Sequence, residues 1–162
     1  MKKIIFMMVL CALGLYADEL KVLSDNFRAD QPKGISIFTG NVMVTKGHDE
    51  LNASKVTIYT DSNRKPTKMV AEGDVSFYIV TELKEKYRGK SQRAVYLPNE
   101  KEYQFYTKVD LIRLDDFRRV KGDKVVVNTV HGHASADSAN NEPVMMIFTL
   151  QDNNTSKKGS SK

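Results

Sequence analysis

Two neighbouring segments decide the fold of this chain: Phe38-Thr39-Gly40-Asn41-Val42-Met43-Val44-Thr45-Lys46-Gly47, and after it Leu51-Asn52-Ala53-Ser54-Lys55-Val56-Thr57-Ile58-Tyr59. Val42 and Val44 alternate with their neighbours in the first segment, and Val56 and Ile58 do so in the second. Alternation with a period of two among β-branched residues predicts two strands, each with one apolar face. The Gly-His-Asp-Glu sequence at residues 47–50 supplies the turn of a hairpin, because glycine accepts positive φ and aspartate stabilises tight turns.

The same pattern recurs further along the chain. A shift of 69 residues places 51–58 on 120–127, a shift of 33 places 39–44 on 72–77, and residues 87–96 form a looser copy. Repeated strand units predict stacked hairpins that bury a common apolar face together. Periodicity alone does not separate such stacked hairpins from an ordinary sandwich.

The rest of the mature chain also favours strands over helices. Val75, Phe77 and Ile79 share one face of a predicted strand, and Tyr103 and Phe105 share another. Residues 83–90 are interpreted as a charged strand, and residues 144–150, entered at Pro143, as an apolar final strand. About fourteen short strands at spacings of roughly 8 to 12 residues predict an all-β domain.

The two ends of the chain carry different signals. Residues 1–17 combine Lys2 and Lys3, an apolar run and a small residue at Ala17, which predicts a secretory signal peptide cleaved after Ala17. Residues 18–150 then form the β domain. Residues 151–162 are rich in Asn, Ser, Lys and Gly and are predicted to be a disordered polar tail.

Charge and cysteine content exclude several classes of function. Removing Lys2 and Lys3 lowers the basic count from 25 to 23 against 20 acidic residues, which leaves about +3 and does not indicate nucleic acid. Cys11 lies within the predicted signal peptide, so the mature chain has no thiol for a disulfide or for catalysis.

The sequence provides no motif for catalysis or for a cofactor. It contains neither Gly-x-Ser-x-Gly nor a phosphate-binding glycine loop that leads into a helix. His131 and His133 have the spacing of two ligands, but no partner stands at metal-ligand spacing, so we predict that they bind no functional metal. Asp115 and Asp116 are typical of a turn.

What remains is one apolar face that is repeated over many strands. Its candidate residues are Phe38, Val42, Val44, Val56, Ile58, Val75, Phe77, Ile79, Tyr96, Phe105, Val125 and Val127. These side chains either pack against each other alone or line a curved sheet that admits a lipid chain. In the second case each buried methylene contributes ~0.8 kcal/mol.

Three ordered motifs resemble the LptA, or OstA-like, family of periplasmic lipopolysaccharide transport proteins. They are residues 38–47, 52–56 and 120–125, and the similarity extends over about residues 20–150. The resemblance implies an open, twisted antiparallel β-jellyroll that binds the acyl chains of lipid A in its apolar interior. It also implies head-to-tail self-association, bridging between inner-membrane LptC-like and outer-membrane LptD-like partners, and a passive conduit in the periplasm without enzymatic activity.

One departure from the family pattern affects the last hairpin. Where family members often carry a second Thr-Gly-Asn, this chain has Thr107-Lys108-Val109-Asp110, and Arg113 falls in register with Val44. Either a bulge shifts the register there, or that end of the groove is more polar. The sequence therefore does not decide which of residues 111–114 line the groove.

Two other functions compete with a lipopolysaccharide bridge. A self-contained, lipocalin-like carrier would seal its sheet edges, residues 20–29 and 144–150, and an adhesive or structural β-repeat protein would need no lipid. A bridge leaves both edges available for pairing. Basic residues near the rim of the groove, Lys46, Lys84, Lys86 and Arg88, are candidates for contact with lipid phosphates.

Overall fold

A computed structural model describes residues 19–139 and 142–149 of the chain. The predicted signal peptide, its cleavage site and the predicted polar tail lie outside the described residues. The described residues form ten strands: β1 (Leu20–Leu23), β2 (Asn26–Asp30), β3 (Ile35–Lys46), β4 (Asp49–Thr60), β5 (Pro66–Val80), β6 (Lys86–Leu97), β7 (Glu102–Arg113), β8 (Arg119–Asn128), β9 (Ala134–Asp137) and β10 (Met145–Ile147). Within these ranges no residue is helical, and no helix has the length and hydropathy that a membrane crossing requires.

All ten strands belong to one antiparallel sheet. Its order is β1-β3-β4-β5-β6-β7-β8-β10, with β2 also paired to β3 and β9 also paired to β8. From β2 to β9 consecutive strands are therefore neighbours, as hairpins require, whereas β1 pairs with β3 and β10 with β8. The first and last strands do not pair with each other. The prediction of an all-β, open antiparallel sheet built from repeated hairpins is confirmed.

The prediction of about fourteen short strands is wrong, because the six central strands, β3 to β8, each run for 10 to 15 residues. Each long strand is interrupted midway by a register shift, so its sequence pattern resembles that of two short strands. Residues 82–84 are also not a strand. The Thr81 N–H donates to the Glu85 carbonyl at 2.9 Å, and the Glu85 N–H donates to Thr81 Oγ1 at 3.1 Å, which closes a turn.

Three pairs of residues in left-handed conformation form the interruptions in β3, β5 and β7. They are Gly40-Asn41 (φ 81 and 45°), Gly73-Asp74 (φ 83 and 48°) and Thr107-Lys108 (φ 64 and 53°). Each pair is a β-bulge, because its two residues stand opposite a single residue on the neighbouring strand: Ser54, Gln92 or Asp123. The bulges lie at one level across the sheet, and we call this row the bulge line.

The bulge line divides the sheet into two half-sheets. The first half-sheet contains β1, residues 42–46, 49–53, 75–80, 86–91, 109–113 and 119–122, and β10. The second contains β2, residues 35–39, 55–60, 66–72, 93–97, 102–106 and 124–128, and β9. Phe77 of the first half-sheet stacks on Phe105 of the second, with ring centroids 3.8 Å apart. The two half-sheets therefore face each other around one core.

The structure settles the departure at Thr107-Lys108. The two residues form the same bulge as the glycine-containing pairs, and Leu111, not Arg113, lies level with Val44, so the predicted register of Arg113 is wrong. Val109 and Leu111 are buried in the core. Arg113 then ends the strand, and its Nη1 donates to Glu85 Oε1 at 2.8 Å. The interior is thus apolar up to Leu111 and becomes polar at Arg113.

Thr107 is a strained position, because a β-branched residue at φ 64° is a steric outlier. Left-handed backbone costs an L-residue ~1–2 kcal/mol, whereas glycine pays ~0.5–1 kcal/mol in additional unfolded-state entropy. We therefore expect Thr107→Gly to stabilise the domain by about 0.5–1 kcal/mol in urea unfolding. Thr45→Gly, in regular strand, is the control and should destabilise the domain. Equal destabilisation by both variants would contradict the strain at the bulge.

Candidate functional site

All twelve residues of the predicted apolar face lie between the two half-sheets. Ten of them are buried in the common core, and Phe38 and Tyr96 are half-buried and pack against it. The first half-sheet contributes Val42, Val44, Val75, Phe77 and Ile79, and the second contributes Phe38, Val56, Ile58, Tyr96, Phe105, Val125 and Val127. The structure thus brings the whole set together, and its contact with lipid stays a prediction.

The sequence list omitted further members of this interior. They are Leu51, Ala53, Met69, Ala71, Tyr87, Ala94, Tyr103, Val109, Leu111 and Val120. In β4 the inward residues are Leu51 and Ala53 before the bulge line and Val56 and Ile58 after it, so the alternation changes parity at Ser54. Gly-Asn and Gly-Asp on the adjacent strands were the available signal for this change.

The interior is filled by side chains in this conformation. Phe77 and Phe105 stack at its centre, and the Phe77 ring lies over Gly89, where an added Cβ would come within 2.5 Å of the ring. A cavity beside Phe77 measures about 10 Å³. Such a volume is near the limit for one water molecule. The described side chains therefore leave no space of the size of an acyl chain beside Phe77 in this conformation.

A partly buried polar contact joins the half-sheets on the side away from the bulge line. The Tyr103 hydroxyl donates to Asp49 Oδ2 at 2.7 Å, and the Val80 N–H donates to Asp49 Oδ1 at 2.9 Å. Burial raises the pKa of Tyr103 well above its usual value, and the neighbouring Asp49 charge adds to the effect. Tyr103 thus remains a neutral donor at any physiological pH.

The turns at the far ends of the half-sheets form two lips, which we define as residues 47–48 and 81–85 on one side and residues 98–101 and 129–132 on the other. Lys101 Nζ lies 2.7 Å from Glu82 Oε1, and the Glu82 N–H donates to the Thr129 carbonyl at 2.9 Å. The hydrogen bond with Lys101 lowers the pKa of Glu82, and the same bond raises the pKa of Lys101. We call this pair of interactions the lip contact.

A second polar cluster supports the lip at residues 81–85. Glu85 accepts hydrogen bonds from Arg113 Nη1 at 2.8 Å and from the Tyr87 hydroxyl at 3.1 Å, and Arg113 Nε donates to Asp116 Oδ1 at 2.9 Å. Burial raises the pKa of Tyr87, and the charge of Glu85 acts in the same direction. The cluster fixes this lip to the end of β7.

The predicted rim lysines and arginine separate into two surfaces. Lys46 and Lys84 line a pocket of about 470 Å³ between the lips, whereas Lys86 and Arg88 line a concavity of about 930 Å³ on the outer face of the first half-sheet. Lys46 Nζ also lies 3.5 Å from Asp49 Oδ2 and 5.5 Å from the Tyr96 ring centroid. Two of the four candidates therefore stand where the interior opens.

Both ends of the sheet carry exposed apolar side chains. Leu23 and Phe27 are 52 and 59% exposed at the edge formed by β1 and β2. At the other edge Met145, Met146 and Ile147 of β10 are 53, 52 and 44% exposed. These side chains accompany backbone groups that no strand of the described chain pairs.

The remaining candidates have structural contacts. His131 and His133 have ring centroids 6.0 Å apart, and the described residues contain no group of three metal-ligating side chains. Asp115 Oδ2 accepts the Lys86 N–H at 2.9 Å, and Asp116 pairs with Arg113 and Arg118. The two aspartates thus fix a turn, and the absence of a functional metal stays a prediction.

Comparison with known proteins identifies the family. A family model described as LptA/(LptD N-terminal domain) LPS transport protein matches residues 21–133, and no curated protein matches. Among solved structures, the chain is similar to LptH of Pseudomonas aeruginosa, described as the LptA-homologous periplasmic component of its lipopolysaccharide transport device. That match has 18% identity and a TM-score of 0.72, and it covers 82% of this chain and 96% of LptH. The fold is shared, and the family match spans more than half of the sequence. This chain belongs to the LptA/LptD N-terminal domain family of lipopolysaccharide transport proteins.

Proposed function

We propose that the two half-sheets shelter the acyl chains of lipopolysaccharide while it crosses the periplasm. The observation that carries this proposal is the continuous apolar interior, which runs across the sheet from the N-terminal to the C-terminal edge. A lipid with several acyl chains is insoluble because its apolar surface is exposed to water. Each methylene transferred into the interior contributes ~0.8 kcal/mol.

The packed interior is compatible with this role. Exposed apolar surface costs ~25 cal/mol per Å², so an empty trough closes on its own side chains. Acyl chains offer an equivalent apolar partner, and they can replace contacts such as Phe77 with Phe105 without a large net loss. Opening requires separation at the lips, where polar and solvent-exposed contacts hold the half-sheets together.

We further propose that copies of the chain join end to end. Exposed strand edges pair readily with other strands, and the N-terminal and C-terminal edges are different surfaces, so their contact propagates without closing. The same edges are suited to strand addition by inner-membrane LptC-like and outer-membrane LptD-like partners. No strand of the described residues covers either edge, which does not favour the alternative of a self-contained carrier.

In this proposal the protein is a passive periplasmic conduit and not an enzyme. Its domain would begin after the predicted signal peptide and extend to about residue 150, and the predicted tail would follow. Lipid would move by exchange between equivalent apolar surfaces. Its direction would come from an energy source elsewhere, since no bond is made or broken.

Acyl chains between the half-sheets should be detectable at Phe77. The sequence contains no tryptophan, so Phe77→Trp introduces a single indole that faces the interior, and Tyr78→Trp introduces one on the outer face as a matched control. We expect lipid A with brominated acyl chains to quench fluorescence in Phe77→Trp and to leave Tyr78→Trp nearly unchanged. Circular dichroism verifies that both variants are folded. Quenching of the outer indole alone would show that lipid binds elsewhere.

The C-terminal edge should be required for assembly. β10 pairs with β8 at three positions, and its side chains are exposed, so deletion of residues 144–162 should leave a folded, lipid-binding monomer. Arg119 and Lys121 then flank the new edge, and charged side chains disfavour strand pairing there. Deletion of residues 150–162 is the control and should retain assembly. Sedimentation velocity over a concentration series measures the difference. Equal self-association of the two truncations would exclude β10 as the joining edge.

A further inference from the structure

The pocket between the lips, which we call the mouth pocket, combines residues from both half-sheets. The first half-sheet and its turns contribute Lys46, Gly47, His48, Asp49, Val80, Thr81, Glu82 and Lys84, and the second contributes Tyr96, Pro98, Lys101 and Thr129. Three lysines thus line one concavity of about 470 Å³: Lys46 ends β3, and Lys84 and Lys101 lie in two different turns. The mouth pocket is a polar opening in an otherwise apolar interface.

The mouth pocket adjoins the apolar interior directly. Lys46 and Asp49 line both the mouth pocket and the small cavity beside Phe77. A ligand that occupied both spaces would need an apolar part next to a polar, anionic part. Such a ligand is an anionic amphiphile with its acyl chains inward and its headgroup between the lips.

Several charged side chains of the mouth pocket already have partners. The carboxylate of Asp49 already accepts hydrogen bonds from Tyr103 and Val80, and Glu82 holds Lys101 in a solvent-exposed ion pair. Lys84 stands at the tip of its turn with φ 66°, and no carboxylate among the described residues lies within 4 Å of its amine. The mouth pocket therefore offers one lysine that has no acidic partner in the described part of the chain. The partner of a second lysine is easily exchanged, because exposed ion pairs contribute little to stability.

We propose that the mouth pocket binds a phosphate group of the lipid headgroup through Lys84 and Lys101, and that the phosphate replaces Glu82 as the partner of Lys101. This inference rests on the proposed lipid-carrying function. A phosphate carries up to two negative charges and three acceptor oxygens, so it competes well with one carboxylate for a lysine. Loss of the Glu82–Lys101 pair removes the side-chain part of the lip contact and leaves the Glu82–Thr129 backbone hydrogen bond, so headgroup binding favours separation of the half-sheets only slightly.

The test compares two ligands that differ in phosphate alone. The affinity of the full mature chain is measured for diphosphorylated lipid A and for the same lipid with its phosphates removed, at one ionic strength. We expect Lys84→Gln and Lys101→Gln each to weaken binding of the phosphorylated lipid by about three- to fivefold and to leave the other lipid unchanged. Lys86→Gln and Lys90→Gln remove the same charge from the outer face and should have no effect.

Glu82→Gln should change the affinity for the phosphorylated lipid in the opposite direction. It removes the competing carboxylate and keeps all three lysines, so it should tighten binding of the phosphorylated lipid about twofold or more. Weaker binding in Glu82→Gln would overturn the proposed exchange. Equal losses for both lipids, or an equal effect of Lys86→Gln and Lys101→Gln, would overturn the phosphate site.

Inorganic phosphate alone separates a headgroup site from a site for free phosphate. We expect no saturable shift of the Lys84 and Lys101 amine resonances at millimolar phosphate, because the apolar part of the ligand supplies most of the affinity. Saturable binding at these lysines without lipid would overturn the headgroup assignment. If neither lipid binds, the proposed function fails. If both bind equally and no lysine variant matters, the phosphate site alone fails.

Discussion

Opposed apolar faces meet in this protein because three left-handed residue pairs bend a single antiparallel sheet at one level. Without the bulge line, strands of 10 to 15 residues would form a long sheet with one exposed apolar face. With it, each long strand contributes inward side chains to both half-sheets, and Phe77 reaches Phe105. The core, the lips and the two free edges all depend on that bend.

The distribution of polar contacts follows from the same geometry. At the bulge line the strand backbones join the half-sheets covalently, because every long strand crosses it. At the lips the half-sheets are joined by non-covalent, polar and partly exposed contacts. The lips are therefore the weaker side of the interior. A lipid carrier needs such an asymmetry, because it must open for a large apolar ligand without losing its fold.

The sequence predicted the parts of this arrangement that are local. Alternation at Val42 and Val44, and again from Val75 to Ile79, was sufficient to assign strands and one apolar face. The change of parity at Ser54 was not recognised, and Leu51 and Ala53 were missed as a result. At Thr107-Lys108 neither residue type favours positive φ, and the 69-residue repeat places Gly40-Asn41 on Val109-Asp110, so the sequence pattern did not indicate the third bulge.

No local sequence pattern indicated the contacts between the half-sheets. Phe77 with Phe105, Tyr103 with Asp49, and Lys101 with Glu82 join residues that are distant in sequence, and they follow from where the sheet bends. The predicted lysines illustrate the same limit. Lys84 and Lys86 are close in sequence, yet the turn at residues 82–84 places one at the mouth pocket and the other on the outer face.

The central claim is that the half-sheets separate to admit acyl chains, and an interlip distance measures this directly. Spin labels at His48→Cys and Asn99→Cys would lie on opposite lips, and labels at Asn63→Cys and Asn99→Cys would lie on one half-sheet. Cys11 belongs to the predicted signal peptide, so the mature chain offers no competing thiol. Pulsed electron–electron double resonance should show a longer interlip distance with bound lipopolysaccharide than without it, and an unchanged distance in the control pair. An unchanged interlip distance at full lipid occupancy would contradict the account.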